Sequence, residues 1–467
     1  AGVARPETTR ECAAILRACS KAGLPVTLSG GRSNLTGSAT PHGGVVMSLG
    51  KRLHPPVAVD LARQLVTAPV GMILEELRRE VIRQSRGAFH YPVDPTSRGD
   101  SSVGGTLACN ASGFIPGERG ATRERVESIE VVLAEGGVIR ARRGEYRSEK
   151  GRFHFVDGDR IMEVPVPRYD RPRIKNAGGP FSAPDGVMDF IDWIVGSEGI
   201  YGVITDCTLR IAPRPRDTVD LFIPLPDEAG ALTLLEKVRT LTGNSLGVLG
   251  ALEYFGVNCR GHMDHEEKLF RGDNAVAVYL QIPVGDQSVE EVAGEWLDRL
   301  AGAGCPLDPD AVLLMDNERD RAMFMEARHS LPAKTLEVVQ QRGTFTIMTD
   351  CVVPPDRFRE FLDFTHNLLR GAGMDYVAFG HLGDCHLHFT LLPDAANLSQ
   401  GTDLYDRIVA GAARLGGVYS GEHGTGKRKR KDFLRCYGAE GVQQVLRCKQ
   451  AVDPALILNP GNVIEPC

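Results

Sequence analysis

This sequence of 467 residues lacks several features that define other protein classes. It contains no apolar run of about 18 residues, which argues against a membrane-spanning helix. Its 54 basic residues do not exceed its 60 acidic ones, and the net charge of −6 argues against bulk affinity for nucleic acid. It has no GxGxxG motif, so a nicotinamide-binding Rossmann domain is not expected.

The cysteines and the first residues bear on where the protein works. The 11 cysteines include no CxxC pair, so we expect reduced thiols in a cytoplasmic protein. No signal-peptide pattern opens the chain. Because the first residue is Ala rather than Met, we expect the first domain to be incomplete at its N-terminus.

Glycine, in contrast, is abundant and is concentrated in three segments of the first half. The chain has 53 glycines, about 11 % against a usual value near 7 %. The segments are Ser29–Ser38 (SGGRSNLTGS), Pro92–Gly113 (PVDPTSRGDSSVGGTLACNASG) and Gly196–Ile204 (GSEGIYGVI). Such loops bind phosphate through backbone N–H groups or lie against a flat ligand, although glycine also serves solvated turns. Three of them in one half favour a ligand-binding domain.

Strands and helices alternate after a proline-rich joint, PRPR, at residues 213–216. Val219–Leu225 alternates like a strand, and Asp227–Leu241 has helical spacing. Ser288, with Glu291 three residues later, is the signature of a capping box and predicts a helix over Ser288–Ala301. This order of elements predicts a mixed α+β sheet domain covered by helices.

Histidines are concentrated on a predicted hairpin, YVAFGHLGDCHLHFTLLP, at Tyr376–Pro393. His381 ends its first strand, and His386 and His388 share one face of its second, because side chains alternate along a strand. A Glu–His pair, Glu422–His423, follows in SGEHGTG. Two histidines and a glutamate with an open position are typical of a catalytic metal site, and the spacing leaves open whether His386 or His388 is the second ligand.

The segment that follows this pair resembles two other kinds of site. GEHGTGK fits GxxxxGK, but Arg428 stands where a nucleotide P-loop needs Ser or Thr, so that interpretation fails. The basic run Lys427–Lys431 is typical of a solvated surface. It also leaves open attraction of an anionic substrate or of an acidic lipid surface, hence a peripheral contact with the inner face of the membrane.

The three glycine-rich segments resemble the FAD-binding domain of the vanillyl-alcohol-oxidase (PCMH) type, and their order is that of the FAD-dependent D-2-hydroxy-acid dehydrogenases. These include D-lactate dehydrogenases and the glycolate-oxidase flavin subunit. The resemblance implies non-covalent FAD, because the first loop has no histidine to attach the flavin. By position, it assigns the diphosphate to Gly30, Gly31, Arg32, Ser33, Asn34 and Gly37, the middle of the cofactor to Pro92, Asp94, Thr96, Ser97, Ser102, Gly104, Gly105, Asn110 and Gly113, and the far end to Glu198, Gly199, Gly202 and Ile204.

The fold class that follows is α+β. The resemblance implies a two-part FAD-binding domain over residues 1–212 and a ferredoxin-like α+β cap over residues 213–400. A C-terminal segment, residues 401–467, would carry GEHG back near the flavin.

The second half resembles the same family at its motif GHxGDGNxH and at the later GEHG. The resemblance implies His381, His388 and Glu422 as ligands of a divalent metal, zinc by the chemistry of mixed nitrogen and oxygen ligands. It implies His423 as the catalytic base. By the resemblance, Arg328 in EARHSLP would bind the substrate carboxylate. Without the resemblance, it would be interpreted as one partner of a surface ion pair.

Four positions depart from the relatives beside the expected substrate. Cys385 replaces a glycine and His386 an asparagine, Thr390 stands where some relatives use Asn, and Met348 stands where some use Lys. A second carboxylate on the substrate would therefore find no lysine at position 348 to bind it. We therefore expect a small D-2-hydroxy acid, with D-lactate as the first choice.

The electron acceptor expected from the resemblance is a quinone, a cytochrome, an electron-transferring flavoprotein or an iron–sulfur protein. The polar stretch Arg143–Asp185 is predicted as a solvated insertion, or alternatively as a docking surface for that acceptor. Three other functions remain open: a metal hydrolase without flavin, a non-redox enzyme resembling alkylglycerone-phosphate synthase, and a flavin subunit of an iron–sulfur electron-transfer complex.

Overall fold

Backbone contacts divide the chain into two units. The computed structural model describes residues 2–50, 56–117, 120–157 and 160–465. The first unit consists of Ala1–Gly113, Gly120–Arg214 and Ser420–Cys467, and the second of Phe114–Arg119 and Pro215–Tyr419. Among the described residues, none of the helices combines the length and the apolar character of a membrane span.

The first unit contains two main sheets. Its strands are β1 (Gly2–Ala4), β2 (Val26–Ser29), β3 (Val45–Ser48), β4 (Ala58–Asp60), β5 (Leu65–Ala68), β6 (Phe89–His90), β7 (Val126–Val132), β8 (Val138–Arg142), β9 (Arg152–Asp157), β10 (Arg160–Pro165), β11 (Val203–Arg210) and β12 (Ala212–Pro213). Strands β1, β3 and β2 form a parallel sheet in that order, and β4, β5, β11, β7 and β8 form an antiparallel one. Two antiparallel pairs, β9–β10 and β6–β12, complete the strands described.

Among the described residues, the first unit has five α-helices before Pro215. They are α1 (Thr9–Ala22), α2 (Leu74–Gln84), α3 (Val103–Cys109), α4 (Thr122–Arg125) and α5 (Phe190–Ile194). Helix α1 ends at Ala22 because Gly23, its C-cap, adopts a left-handed conformation with φ of 61°. The chain then enters β2, which leads directly into the first glycine-rich segment.

The second unit is built on one antiparallel sheet. Its strands are β13 (Asp217–Leu225), β14 (Ala251–Phe255), β15 (Val276–Val284), β16 (Leu313–Leu314), β17 (Ile347–Met348), β18 (Tyr376–His381) and β19 (His386–Leu391), in the spatial order β16, β13, β15, β14, β18, β19, β17. Its helices are α6 (Glu228–Leu241), α7 (Glu266–Leu269), α8 (Val289–Gly302), α9 (Glu318–Gln341), α10 (Phe358–Gly371) and α11 (Leu398–Arg414). The last helix, α12 (Arg430–Val452), belongs to the first unit and has a non-helical residue, Gly438, inside it. The predicted α+β class is confirmed.

An aromatic core fixes helix α9 against the sheet of the second unit. Phe324 of α9 packs on Phe222, Phe255 and Tyr279, with ring centroids 5.9, 5.8 and 4.3 Å away. Arg328 lies one helical turn after Phe324 and therefore faces the same side of the helix. The core thus holds the guanidinium of Arg328 close to strand β14.

The two units divide at 214/215 and 419/420, whereas the predicted boundaries lie at 212/213 and 400/401. The C-terminal division comes later because α11 packs against α10 in the second unit. The guanidinium of Arg414, at the end of α11, lies 5.4 Å from the ring centroid of Phe364 in α10. The segment that returns to the first unit therefore begins at Ser420, just before Glu422.

Candidate functional site

The three glycine-rich segments lie together in the first unit. The N–H of Gly31, in the first segment, donates to Ser102 Oγ in the second at 3.4 Å. The N–H of Gly196, in the third, donates to the carbonyl of Leu107 in the second at 2.9 Å. Ser38 Oγ, at the end of the first segment, donates to Glu198 Oε2 in the third at 2.7 Å. Residues separated along the sequence thus form one continuous region.

Close backbone approach explains the glycines at two of these positions. A Cβ atom at Gly31 would come well within 3.0 Å of the carbonyl oxygen of Asp100, and one at Gly113 would do the same at that of Asp94. Both obstacles are backbone atoms, which cannot move aside as a flexible side chain can. A side chain at Gly31 would push the first segment away from the second, and one at Gly113 would push apart the two ends of the second segment.

Two buried hydroxyls in the second segment test whether this region fits FAD. The Oγ atoms of Ser101 and Ser112 are buried and have no hydrogen-bond partner within the part of the chain that the structure describes. A buried hydroxyl without a partner is uncommon and calls for a ligand or a water. Donors of this kind suit a ligand rich in acceptor oxygens, so the segments fit a dinucleotide with a diphosphate.

The predicted cofactor residues differ in exposure. Exposed are Gly30, Arg32 and Thr96; partly buried are Gly31, Ser33, Asn34, Gly37, Asp94, Ser97, Gly104 and Gly105; buried are Pro92, Ser102, Asn110, Gly113, Glu198, Gly199, Gly202 and Ile204.

Some of these residues use their polar side chains for ion pairs and hydrogen bonds within the protein. Asp94 pairs with Arg98 at 2.7 Å and with Arg78 at 3.5 Å. Asn110 Oδ1 accepts from the N–H of Arg123 at 2.9 Å. These side chains shape the region by holding its loops.

Glu198 joins the first and third segments to the loop after the Glu–His pair. Its carboxylate accepts from the N–H groups of Thr425 and Gly426, both at 2.7 Å, besides Ser38 Oγ. Burial raises the pKa of Glu198, while these hydrogen bonds lower it in part. The carboxylate therefore fixes the backbone of residues 425 and 426.

The basic run Lys427–Lys431 is not a uniform solvated face, and that expectation is wrong. Lys427 Nζ donates to Asn462 Oδ1 at 2.7 Å, and burial lowers the pKa of Lys427 to about 8. Lys427 is partly buried, and Lys429 is buried. Arg428 and Lys431 are the exposed members of the run.

The Glu–His pair is tied to the first glycine-rich segment. Asn34 Nδ2 donates to the carbonyl oxygen of His423 at 3.3 Å, and Thr36 Oγ1 donates to the same oxygen at 3.3 Å. Asn34 Oδ1 also accepts from the N–H of Thr36 at 2.9 Å and from that of Ser38 at 3.0 Å. Asn34 thus orders its own loop and the His423 backbone at once.

Lys175 lies against Glu422 and was missed by the sequence analysis. Lys175 Nζ is 3.1 Å from Glu422 Oε2, and the lysine side chain is only 3 % exposed. The Nε2 atom of His423 lies 3.7 Å from Glu422 Oε1. The carboxylate of Glu422 therefore has a cation on one oxygen and an imidazole near the other.

Lys175 belongs to the stretch Arg143–Asp185, whose prediction as a solvated insertion is wrong for its second half. Asn176, Ala177, Ser182 and Ala183 are buried, and the N–H of Ala177 donates to the carbonyl of Ser420 at 3.0 Å. This part of the segment is buried because its polar groups form hydrogen bonds inside the first unit.

In the second unit, a buried carboxylate joins Arg328 to His381. Glu253 Oε2 lies 2.9 Å from Arg328 Nη2, and Glu253 Oε1 lies 2.6 Å from His381 Nδ1. The guanidinium of Arg328 also lies 4.3 Å from the ring centroid of Phe114. Burial raises the pKa of Glu253, but His381 and Arg328 outweigh it and lower the pKa to about 2. Arg328 is thus an inward-facing residue rather than part of a surface ion pair.

The three hairpin histidines lie together, as their alternation predicts. The ring centroid of His386 is 5.3 Å from that of His381 and 4.6 Å from that of His388. His386 Nε2 lies 2.9 Å from Asp350 Oδ1, and His388 Nδ1 lies 3.2 Å from the carbonyl oxygen of Thr349. Three neighbouring imidazoles, each with an acceptor on one nitrogen, form a donor set that suits a divalent metal.

Thr390 and Met348 are paired neighbours on strands β19 and β17. Thr390 is buried on the same face of β19 as His386 and His388, because the three alternate. Its hydroxyl has no hydrogen-bond partner among the residues that the structure describes. Met348 is partly buried and brings no charge to this position.

Comparison with known proteins identifies the family. The profile of the "FAD linked oxidases, C-terminal domain" matches residues 257–463, and that of an "FAD binding domain" matches residues 1–142. A D-lactate dehydrogenase of Anaerostipes hadrus is 26 % identical over 99 % of this chain and 90 % of its own length. The glycolate oxidase subunit GlcD of Bacillus subtilis is 26 % identical over 99 % and 88 %. A D-2-hydroxyglutarate dehydrogenase of Xanthomonas citri is 26 % identical over 99 % and 89 %.

Solved structures share the fold. A 4-ethylphenol oxidase from Gulosibacter chungangensis aligns with a TM-score of 0.68 at 19 % identity, covering 100 % of this chain and 90 % of its own. An alkyldihydroxyacetonephosphate synthase aligns with a TM-score of 0.66 at 15 % identity, covering 98 % and 75 %. At these identities the likeness concerns the fold alone. With both family profiles matched in order, the chain belongs to the FAD-linked oxidases and is a flavin-dependent oxidoreductase.

Proposed function

We propose that this enzyme oxidises a small D-2-hydroxy acid, with D-lactate as the first choice, to the 2-oxo acid. The observation that carries the proposal is the buried chain Arg328–Glu253–His381, which sets a fixed cation beside the histidine cluster of the second unit. The relatives named D-lactate dehydrogenase and glycolate oxidase subunit support the substrate class. The reaction removes a proton from the hydroxyl and a hydride from C2 of the substrate.

Arg328 is proposed to bind the substrate carboxylate. A guanidinium has five N–H donors in a planar fork, and the contact with Glu253 uses Nη2 alone. The contacts with Glu253 and with the ring of Phe114 restrict the orientation of the fork. A preoriented fork binds a carboxylate in one pose, which directs the rest of a small substrate.

His423 is proposed to take the hydroxyl proton. Imidazole is the natural general base at neutral pH. The backbone of His423 is held by Asn34 and Thr36, so its side chain starts from a fixed point. Bound FAD supplies the acceptor for the hydride, since no side chain can take one.

A divalent metal, zinc first, is proposed to be held by His381, His388 and Glu422. Glu253 and the Thr349 carbonyl orient the two imidazoles, which supports their role as ligands. Glu422 is added by the resemblance of the GEHG motif. The metal, when bound, would polarise the substrate hydroxyl and fix its pose.

A compact substrate is favoured by the residues beside the histidines. Met348 cannot neutralise a distal carboxylate, and an unpaired buried carboxylate would cost several kcal/mol, on the order of a thousandfold in affinity. The Thr390 hydroxyl is available for one hydrogen bond to a small polar group. This combination favours a monocarboxylate over D-2-hydroxyglutarate.

Attachment of FAD is proposed to be non-covalent, because the first glycine-rich loop has no histidine. Acid precipitation should then release all the flavin as FAD. Colour retained in the pellet would show a covalent bond, and release of FMN would contradict a diphosphate site.

The acceptor is proposed to be a quinone, a cytochrome, an electron-transferring flavoprotein or an iron–sulfur protein, since the chain lacks a nicotinamide fingerprint. The experiment that tests the function supplies D-lactate with an artificial electron acceptor and measures the product. Formation of one 2-oxo acid per two electrons supports the proposal. Absence of product with every small D-2-hydroxy acid would contradict it.

A further inference from the structure

We propose that His386 supplies a third imidazole nitrogen to the metal of the second unit, so that three histidines rather than two bind the ion. The inference rests on the proposed metal site and concerns the residue that replaces an asparagine of the related motif. The three imidazoles belong to strands β18 and β19, and their hydrogen-bond acceptors belong to strand β14 and to residues 349 and 350.

The register of the hairpin places the three side chains on one face. His381 and His386 face each other across the antiparallel pair β18–β19, and His388 follows two residues later on β19. The ring centroids of His381 and His388 are 6.0 Å apart. One nitrogen from each of the three histidines lies within 4.8 Å of the other two, a spacing that a single ion can bridge.

One nitrogen of each imidazole has a hydrogen-bond acceptor, which leaves the other nitrogen as the candidate metal ligand. The acceptors are Glu253 for His381 Nδ1, Asp350 for His386 Nε2 and the carbonyl of Thr349 for His388 Nδ1. A neutral imidazole that donates from one nitrogen carries its lone pair on the other. The ligand atoms would therefore be Nε2 of His381, Nδ1 of His386 and Nε2 of His388.

The pairing of His386 with Asp350 repeats the pairing of His381 with Glu253. Asp350 and His386 are both fully buried, and Glu253 is 1 % exposed. A buried carboxylate is costly unless a cationic partner offsets it. Two carboxylates behind neighbouring imidazoles raise the basicity of both rings and favour a cation in front of them.

A third nitrogen ligand changes which metals the site prefers. Imidazole ligands suit zinc and carboxylate ligands suit manganese, and Co²⁺ generally binds nitrogen ligands more tightly than Mn²⁺ does. Replacing His386 by the asparagine of the related motif should weaken the binding of Co²⁺ by about 10²-fold and bring its affinity closer to that for Mn²⁺.

The experiment loads the FAD-containing full-length protein with Co²⁺ and records its visible absorption and its dissociation constant. His386→Asn should bind Co²⁺ about 10²-fold more weakly and with altered ligand-field bands. The matched control is His366→Asn, a buried histidine of the same unit that pairs with Glu228 at 2.7 Å and should leave the Co²⁺ spectrum unchanged. An unchanged spectrum and affinity in His386→Asn would overturn the inference.

X-ray absorption of the zinc-loaded wild type provides a test that needs no variant to fold. Three imidazoles in the outer-shell scattering support the inference, and two overturn it. Failure of the wild type to bind any metal would overturn the proposed metal site itself, together with this inference. The two failures are therefore distinguishable.

Discussion

The side-chain amide of Asn34 donates to the carbonyl oxygen of His423 at 3.3 Å, across 389 positions of the sequence. The residue that orders the first glycine-rich loop thereby also fixes the backbone of the proposed base. Glu198 adds a second link by binding the N–H groups of Thr425 and Gly426. The cofactor loop and the GEHG segment therefore form a single hydrogen-bonded body within the first unit.

Asn34→Ala should weaken the hydrogen bonding of both the first glycine-rich loop and the GEHG segment. The change removes the acceptor for Thr36 and Ser38 and the donor to His423, at about 1 kcal/mol for each hydrogen bond. We expect FAD binding to weaken by about 10- to 100-fold, with a lower kcat. Flavin release measured by fluorescence checks this. Thr40→Ala, an exposed change close to the same loop, is the control, and equal FAD affinity in both variants would contradict the role of Asn34.

Lys175→Met should destabilise the metal-free protein because it removes the ammonium that lies 3.1 Å from the carboxylate of Glu422. Removing one partner of a buried ion pair costs about 3–5 kcal/mol. Thermal melting should show a clear fall in Tm for the single variant. The double variant Lys175→Met, Glu422→Gln removes both charges and should recover part of the loss. A single variant as stable as the wild type would show that the pair contributes nothing.

The lowered pKa of Lys427 predicts that the stability of the folded protein changes with pH. Its pKa falls to about 8 in the folded protein from the ordinary 10.5, because burial disfavours the charged form. Between these two values the unfolded chain binds more protons than the folded one, so this group stabilises the folded state as the pH rises. The Tm of the wild type relative to Lys427→Met should therefore increase from pH 8 to pH 10.5. A constant difference, or one that moves against the wild type, would contradict the lowered pKa.

His388→Ala should lose metal and turnover while it retains FAD, because the cofactor segments lie in the first unit and His388 in the second. Elemental analysis together with the flavin spectrum measures both. His262→Ala, a histidine outside the cluster, should keep its metal. Equal metal content in His388→Ala and the wild type would rule out His388 as a ligand.

The sequence predicts best what local spacing determines. The capping box at Ser288 and Glu291 is present, and the strand–turn–strand pattern around His381, His386 and His388 is correct. These features depend on residues close together in the chain, where periodicity and side-chain chemistry set the outcome.

Partners that come from distant positions were not predictable in this way. Glu253 is 128 positions from His381, and Lys175 is 247 positions from Glu422. No periodicity links such residues, since only the fold brings them together. One signal was present: Glu253 is a lone acidic residue in the apolar strand ALEYF, and a buried carboxylate requires a cationic or donor partner.

The rate of anaerobic flavin reduction decides whether a small D-2-hydroxy acid is the substrate. D-lactate, L-lactate and D-2-hydroxyglutarate are each mixed with the oxidised enzyme, and the bleaching of the flavin is followed. We expect D-lactate to reduce the flavin fastest, because Arg328 would hold one carboxylate and Met348 offers no charge for a second. Faster reduction by D-2-hydroxyglutarate would contradict the size argument, and faster reduction by L-lactate would contradict the assignment to D-2-hydroxy acids.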